Sequence, residues 1–193
     1  ITQTIQVLAP TGDVIFGAPD IYVANVPLDA QVEPAPVTSI TSLGPASGQA
    51  EIQGIEFTYL RSRQTLDVGD TYTVISRQTA VTQNALEAAS AEYPALIADK
   101  YLQLPENFSP RITELAHSLT DGLATAYDKA KAVEIYLRGI KYNDAIAAPP
   151  PNVDPLEYFL FDLQEGYCDY YASAMATMLR TIGIPARTAS GYA

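Results

Sequence analysis

Alternating apolar and polar residues in the first part of the chain predict β-strands. The runs TIQVL, DVIFG and DIYVANVP are short, rich in β-prone residues and separated by turn-forming residues. In GIEFTYL, Ile55, Phe57 and Tyr59 fall on one face, whereas DTYTVISRQ alternates less regularly. DVGD at 67–70 predicts a hairpin turn, and EPAPVTSITSLGPASG predicts a loop or irregular edge. We therefore expect residues 1–82 to form a β-rich, sandwich-like accessory domain, either a passive spacer or a ligand-binding module.

After residue 83 the pattern becomes helical. NALEAASAEYPALIADKYLQLP is helix-prone, is interrupted by Pro94 and stops near Pro105, and it predicts a helical connector over residues 83–108.

Helix-start signals then recur along the chain. Ser109 and Pro110 suit the N-cap and first helical position, Thr125 precedes Asp128 in a variant of the capping box, and DPLEYFLF places Asp154 at an N-cap. AAPPPNV between the last two helices predicts a stiff connecting loop, with a proline-rich ligand motif as the alternative.

A further helix is predicted in GYCDYYASAMATMLR, which contains the only cysteine of the chain. Gly166 is expected to permit a sharp backbone entry, and Gly183 with Pro185 to end the helix. RTASGYA then reads as the beginning of a strand. Spacings of four and three predict one inward-facing stripe, formed by Cys168, Ala172, Met175, Leu179 and Ile182.

Cys168 is either a nucleophile or a buried packing residue. A thiol in the first turn of a helix lies at the positive end of the helix dipole, which favours the thiolate, and nearby amide N–H groups can bind an oxyanion. A lone cysteine on an apolar stripe, however, is more often part of a core. The acidic neighbours Glu165 and Asp169 would disfavour the thiolate.

Charge and composition exclude several classes of function. The formal net charge is −11, with 22 acidic and 11 basic residues, which argues against nucleic acids and anionic membrane surfaces. No apolar run is long enough to cross a bilayer. Asp13, Asp20, Asp67 and Asp70 are expected in ordinary turns, and no Cys/His metal set or phosphate-binding glycine loop is present, so no cofactor is expected.

The segment GYCDYYASAMATMLRTIGIPARTASGY resembles the core motif of the transglutaminase-like superfamily: a glycine and a cysteine opening a helix, then GIPAR, then a strand ending in GY. YLQLPENFSPRITELAHSLT and AVEIYLRGIKYN are similar to membrane-anchored bacterial members, so the resemblance covers roughly residues 100–193. It implies an α+β protein in which residues 109–193 form the helical first half of a papain-like transglutaminase core.

The resemblance also implies a function and a location. Cys168 would be the nucleophile of a Cys–His–Asp triad that acts on carboxamide or peptide bonds of a protein substrate through a thioester. Relatives of this kind place the domain outside the cytoplasm, so a membrane would be met only through segments outside this chain. The alternative, on the same fold, is a non-catalytic protein- or wall-binding module.

The family's histidine and aspartate lie beyond the GY motif, and we therefore interpret the chain as an inactive piece of a longer enzyme. His117 matches no triad position and is expected to be a partly exposed helix residue. Tyr167 and Tyr142 are candidates for lining the substrate cleft or oxyanion site, with packing as the alternative. Structural support is expected from Gly166, Arg187 and Gly191, with Arg187 paired to a carboxylate.

Overall fold

The computed structural model of the chain describes residues 1–10, 12–17, 21–31, 59–76 and 80–189. The fold contains both sheets and helices and is α+β, as predicted. It divides into two compact units, residues 1–80 and residues 81–190. The predicted 33–48 loop, the alternation of Ile55 with Phe57, Asp20 and Gly191 lie outside the described residues.

The first unit is built from short antiparallel strands. They are β1 (Thr2–Gln6), β2 (Val14–Ile15), β3 (Ile21–Ala24), β4 (Leu28–Gln31), β5 (Tyr59–Ser62) and β6 (Thr71–Ser76). In the described ranges they form two three-stranded sheets, with orders β1-β6-β3 and β2-β5-β4. Both sheets contribute to one core, which agrees with a sandwich-like arrangement. Its buried residues are Val7, Ile15, Ala24, Val26, Leu28, Leu60, Leu66, Tyr72 and Val74.

The predicted hairpin at 67–70 is wrong, although the turn itself is present. Gly69 has a φ of +102° and the amide of Asp70 donates to the carbonyl of Asp67 at 3.0 Å. The strands on either side, β5 and β6, belong to different sheets. The turn exchanges backbone bonds with Val7 instead, which directs β6 to pair with β1.

The second unit consists of helices and one pair of short strands. Its elements are α1 (Gln83–Glu87), α2 (Ala95–Tyr101), α3 (Pro110–Thr120), α4 (Ala126–Arg138), β7 (Lys141–Tyr142), α5 (Pro155–Glu157), a π-helical turn (Tyr158–Leu163), β8 (Glu165–Gly166) and α6 (Cys168–Thr181). The break at Pro94 is confirmed, since α2 begins directly after it. The predicted N-caps are confirmed too: Ser109, Thr125 and Asp154 each accept a backbone N–H with their side chain.

Helices α3, α4 and α6 and the π-helical turn meet in one core. The fully buried side chains include Ile112, Val133, Phe159, Leu160 and Met178. Whole apolar side chains removed from water contribute about 1.5–3 kcal/mol each, so this cluster holds the face of α6 against its neighbours.

The predicted inward stripe of α6 is confirmed in its second half, where Leu179 is buried and Met175 and Ile182 pack against the core, and is wrong in the first turn. Cys168 and Ala172 are exposed, and the buried residues of the helix include Ala174 and Met178. The inward face also carries Tyr170 and Tyr171, both partly buried against Phe159. Two aromatic rings bury more apolar area than a thiol and a methyl group, and this turns Cys168 toward solvent.

The end of α6 follows the predicted chemistry. Gly183 has a φ of +79°, the amide of Ile184 donates to Leu179 O at 2.9 Å, and the amide of Gly183 donates to Arg180 O at 3.1 Å. These are the two bonds of a Schellman cap. The strand predicted from residue 187 is absent over 187–189, where no described strand lies beside the chain, and residues 190–193 lie outside the described ranges.

Candidate functional site

Cys168 is the first residue of α6 and its side chain is exposed. Tyr167 forms the N-cap with extended backbone (φ −121°, ψ −176°), and its carbonyl accepts the amides of Tyr170 at 3.0 Å and Tyr171 at 3.3 Å. Within the described residues, the amides of Cys168 and Asp169 meet no protein acceptor. Two free N–H groups at the positive end of a helix are suited to hold a developing oxyanion.

The two acidic neighbours of the thiol differ in what they contact. The Cys168 thiol donates to Asp169 Oδ1 at 3.5 Å, which is a weak bond. The Glu165 carboxylate accepts instead from Asn143 Nδ2 at 2.7 Å and Lys141 Nζ at 3.0 Å. These two bonds hold the pKa of Glu165 below its ordinary value. The negative charge that acts directly on the thiol is therefore that of Asp169.

The parallel pair β7–β8 fixes the residues that precede Cys168. Tyr142 lies beside Gly166 in the register, and the amide of Asn143 donates to Gly166 O at 2.8 Å. The Tyr142 side chain is 62% exposed, and its ring stacks at 6.1 Å on Tyr171, one turn into α6. The strand pair thus brings Tyr142 to the same end of α6 as Tyr167 and Cys168.

Gly166 was expected to give the backbone the freedom for a sharp entry into α6, but the structure requires a glycine there for another reason. Its φ is not in the left-handed region, and the left-handed residue here is Gln164 at +51°, which ends the π-helical turn. A Cβ on Gly166 would lie 2.7 Å from Phe159 Cε2. The glycine therefore allows the backbone to approach the buried Phe159 ring. The π-helical turn, a feature often found at functional sites, was missed because it has no clear sequence signature.

Aromatic rings support the start of α6. Phe159 lies 5.4 Å from the ring of Tyr170 and 5.1 Å from that of Tyr171, and Tyr167 meets Tyr170 edge-on at 5.1 Å. Burial raises the pKa of Tyr170 and Tyr171, so both stay neutral. The Tyr171 hydroxyl also donates to Ile140 O at 2.8 Å, which ties α6 to the segment before β7.

A shallow, open groove of about 310 Å³ runs beside the first turns of α6. We call it the Asp169 groove. Its lining residues are Pro155, Leu156, Tyr167, Asp169, Tyr170 and Ser173. Cys168 is not one of the lining residues, but its thiol lies 3.5 Å from Oδ1 of Asp169, which is.

Arg187 and His117 make their contacts with residues other than those around the thiol. Arg187 donates to the Tyr101 hydroxyl at 3.2 Å and lies over that ring. His117 is half-exposed in the last turn of α3, where Nδ1 lies 3.9 Å from Asp121 Oδ1.

In the described ranges, no group of three or more His, Cys, Asp or Glu residues could hold a metal ion. No described helix combines the length and apolarity needed to cross a bilayer.

Comparison with known proteins gives a family match for the second part of the chain. Residues 113–193 match the model of the transglutaminase-like superfamily, which includes the Cys168 helix and the segment after it. This match confirms the resemblance of the Cys168 segment to that superfamily.

Two individual relatives match about half of the chain. The chain is 40% identical over 106 residues to the uncharacterized protein YebA of Bacillus subtilis strain 168. It is 36% identical over 91 residues to a protein-glutamine gamma-glutamyltransferase of Pseudomonas aeruginosa. The matches cover 53% and 47% of this chain, and 14% of each relative.

Solved structures give the same result. Two crystal structures of the periplasmic domain of TgpA from Pseudomonas aeruginosa, one bound to ethylmercury, match with TM-scores of 0.51 and 0.50 at 29% and 28% identity. Each match covers 66% of this chain, and 43% and 42% of the TgpA domains. The chain therefore corresponds to a minor part of its curated relatives and to less than half of the TgpA domain.

Proposed function

We propose that the chain supplies the nucleophilic half of an acyl-transfer site in a transglutaminase-like enzyme. Cys168 is the nucleophile, and its carboxamide substrate belongs to a protein or peptide. The observation that carries the proposal is the exposed thiol in the first turn of α6, beside the free amides of Cys168 and Asp169. The glutamyltransferase among the relatives supports a protein substrate.

The chemistry follows from this placement. The thiolate attacks the carboxamide carbon, and the oxyanion that forms accepts hydrogen bonds from the two free amides, each worth about 3 kcal/mol in known hydrolases. Loss of ammonia leaves a thioester on Cys168. An amine then releases the acyl group as a new amide, or water releases it as an acid, and the thiol is regenerated. Tyr167 and Tyr142 line the approach to the thiol in this proposal.

The general base belongs to a part of the parent protein outside this chain. The single histidine, His117, contacts Asp121 on α3, and the chain spans only 14% of its curated relatives. A proton acceptor in the transition state contributes about 10²- to 10⁴-fold, so the isolated chain is expected to turn over very slowly.

The proposal extends to location and domain organisation. The similarity to a periplasmic domain supports a place on the outer side of the cell membrane. A membrane-anchored parent is proposed from the resemblance of the sequence to membrane-anchored bacterial members. Residues 1–82 form the accessory domain, residues 83–108 the connector and residues 109–193 the first part of the catalytic core.

The decisive experiment uses the parent protein that contains this chain. Purified parent is incubated with a glutamine-containing protein and a fluorescent primary amine, and Cys168→Ala is the matched control. Fluorescent product that depends on Cys168 indicates transfer, and Cys168-dependent ammonia release without labelling indicates hydrolysis. Either result supports the thioester route.

A thiol that is alkylated normally in a parent that gives neither product would overturn the proposal. The domain would then be a binding module on the same fold.

A further inference from the structure

The Asp169 groove has one charged side chain among apolar and aromatic walls. Pro155 and Leu156 contribute to its lining from α5, and Tyr167 and Tyr170 contribute from the start of α6. Such walls fit an aliphatic stem, while ring faces and a carboxylate attract a cation at its end.

The negative charge of Asp169 is not balanced by the protein within the described residues. Asp169 Oδ1 accepts from the Cys168 thiol at 3.5 Å, and among the described residues the carboxylate forms no ion pair. Glu165, the other acidic neighbour, is already engaged by Asn143 and Lys141. The carboxylate of Asp169 is therefore available to a ligand in the groove.

From this we infer that the Asp169 groove binds a lysine or arginine side chain of the acyl donor, next to the carboxamide that Cys168 attacks. Asp169 is then a specificity-determining residue: it attracts donors with a cationic flank and repels donors with an acidic one. The inference rests on the proposed function, because that function makes the bound molecule an acyl donor. The charge selectivity of the groove can be measured without turnover.

Alkylation of Cys168 tests the selectivity on the chain itself, because it contains one cysteine. Three iodoacetamides with amide tails of equal length are compared at neutral pH, one ending in an ammonium group, one in a methyl group and one in a carboxylate. The rate ratio between tails is the readout. Any change in the intrinsic reactivity of the thiol cancels in this ratio, including the change caused by altering Asp169.

The folded chain is compared with the same chain in urea, which unfolds the groove without screening charge. From the strength of an exposed ion pair, we expect the ratio of the cationic-tail rate to the neutral-tail rate to be about two- to five-fold higher in the folded chain than in urea. The ratio of the anionic-tail rate to the neutral-tail rate should be lower in the folded chain than in urea. Added salt brings both ratios toward their values in urea. Asp169→Asn abolishes the selectivity, whereas Asp162→Asn, which removes the same charge from an exposed residue outside the groove, retains it.

A second variant tests the location of the tail. Ser173→Leu fills the groove with a larger side chain, so we expect slower reaction with all three tailed reagents and an unchanged rate with iodoacetamide itself. Unchanged rates for the tailed reagents would overturn the inference.

Equal ratios in the native chain and in Asp169→Asn would also overturn it. Alkylation measures access to the thiol, and amine incorporation by the parent measures turnover. Loss of selectivity with Cys168-dependent turnover intact therefore contradicts the groove assignment alone.

Discussion

Replacing Gly166 with alanine places a methyl group against the ring of Phe159. The new Cβ would lie 2.7 and 2.8 Å from two ring carbons, and 3.2 Å from Tyr170 Cβ. Phe159 is fully buried and is packed between the rings of Tyr170 and Tyr171, so it has no free space into which to retreat. Overpacking of this kind costs about 1–3 kcal/mol.

The loss is measured by thermal unfolding. For a unit of this size, the lost free energy of unfolding corresponds to a fall in Tm of roughly 5–15 °C. The near-ultraviolet circular dichroism of the tyrosines around α6 reports the transition. Because Gly166 is the last residue of β8 and lies two residues before Cys168, we also expect the alkylation rate of Cys168 to change.

A double-mutant cycle isolates the steric cause. Phe159→Leu removes the ring carbons, so Gly166→Ala should cost at least about 1 kcal/mol less in that background than in the native chain. Gly122→Ala is the control, because a Cβ at Gly122 meets nothing within 4 Å and only the φ of +82° opposes it. Its cost should be the same in both backgrounds. Additive effects of Gly166→Ala and Phe159→Leu would refute the reasoning.

Three further substitutions test single interactions of the second unit. Thr125→Ala removes the side-chain cap of α4 and should lower the free energy of unfolding by about 1 kcal/mol in urea titration, whereas Thr125→Ser should not. Asn143 and Lys141 hold the pKa of Glu165 in the folded chain below its ordinary value of 4.5. The contribution of these two contacts to the free energy of unfolding is therefore complete above pH 4.5, and it is lost as the pH falls through the lower pKa of the folded chain. Glu165→Gln should flatten this acid limb of the stability curve, and an unaltered limb would exclude the contacts of Glu165 with Asn143 and Lys141 as its cause. Tyr171→Phe removes the hydroxyl that donates to Ile140 O at 2.8 Å, between α4 and β7, and should lower the free energy of unfolding by about 1 kcal/mol in the same titration. An unchanged free energy of unfolding would mean that water replaces the hydroxyl.

Features that depend on a few adjacent residues were predicted well from the sequence. The caps at Ser109, Thr125 and Asp154 need only a side-chain oxygen and the amides two or three residues later. The end of α6 at Gly183 is equally local, since a left-handed glycine followed by proline stops a helix wherever the helix lies.

Features that depend on distant partners were predicted poorly. The turn at 67–70 was recognised, but its strands pair with β1 and β4 rather than with each other. The spacing along α6 allowed more than one inward face, and the choice depends on Phe159, which comes from the π-helical turn.

The candidate site shows the same division. The sequence motif located Cys168 at the start of a helix, and the structure agrees. It did not indicate that Lys141 and Asn143 engage Glu165, because the parallel β7–β8 pair joins segments more than twenty residues apart. The Asp169 groove likewise combines α6 with Pro155 and Leu156, which lie in a separate helix.

The position of the Cys168 thiol depends on the number of residues in the π-helical turn at Tyr158–Leu163. Its closing bond runs from the amide of Gln164 to Phe159 O, five residues back, so the turn holds one residue more than an α-helical bond would require. Deleting one residue there would restore α-helical bonding but would rotate every following side chain by about 100°. Gly166 would lose its register beside Tyr142 and its place against Phe159. Over the course of evolution, this segment should therefore accept changes of residue type far more readily than insertions or deletions.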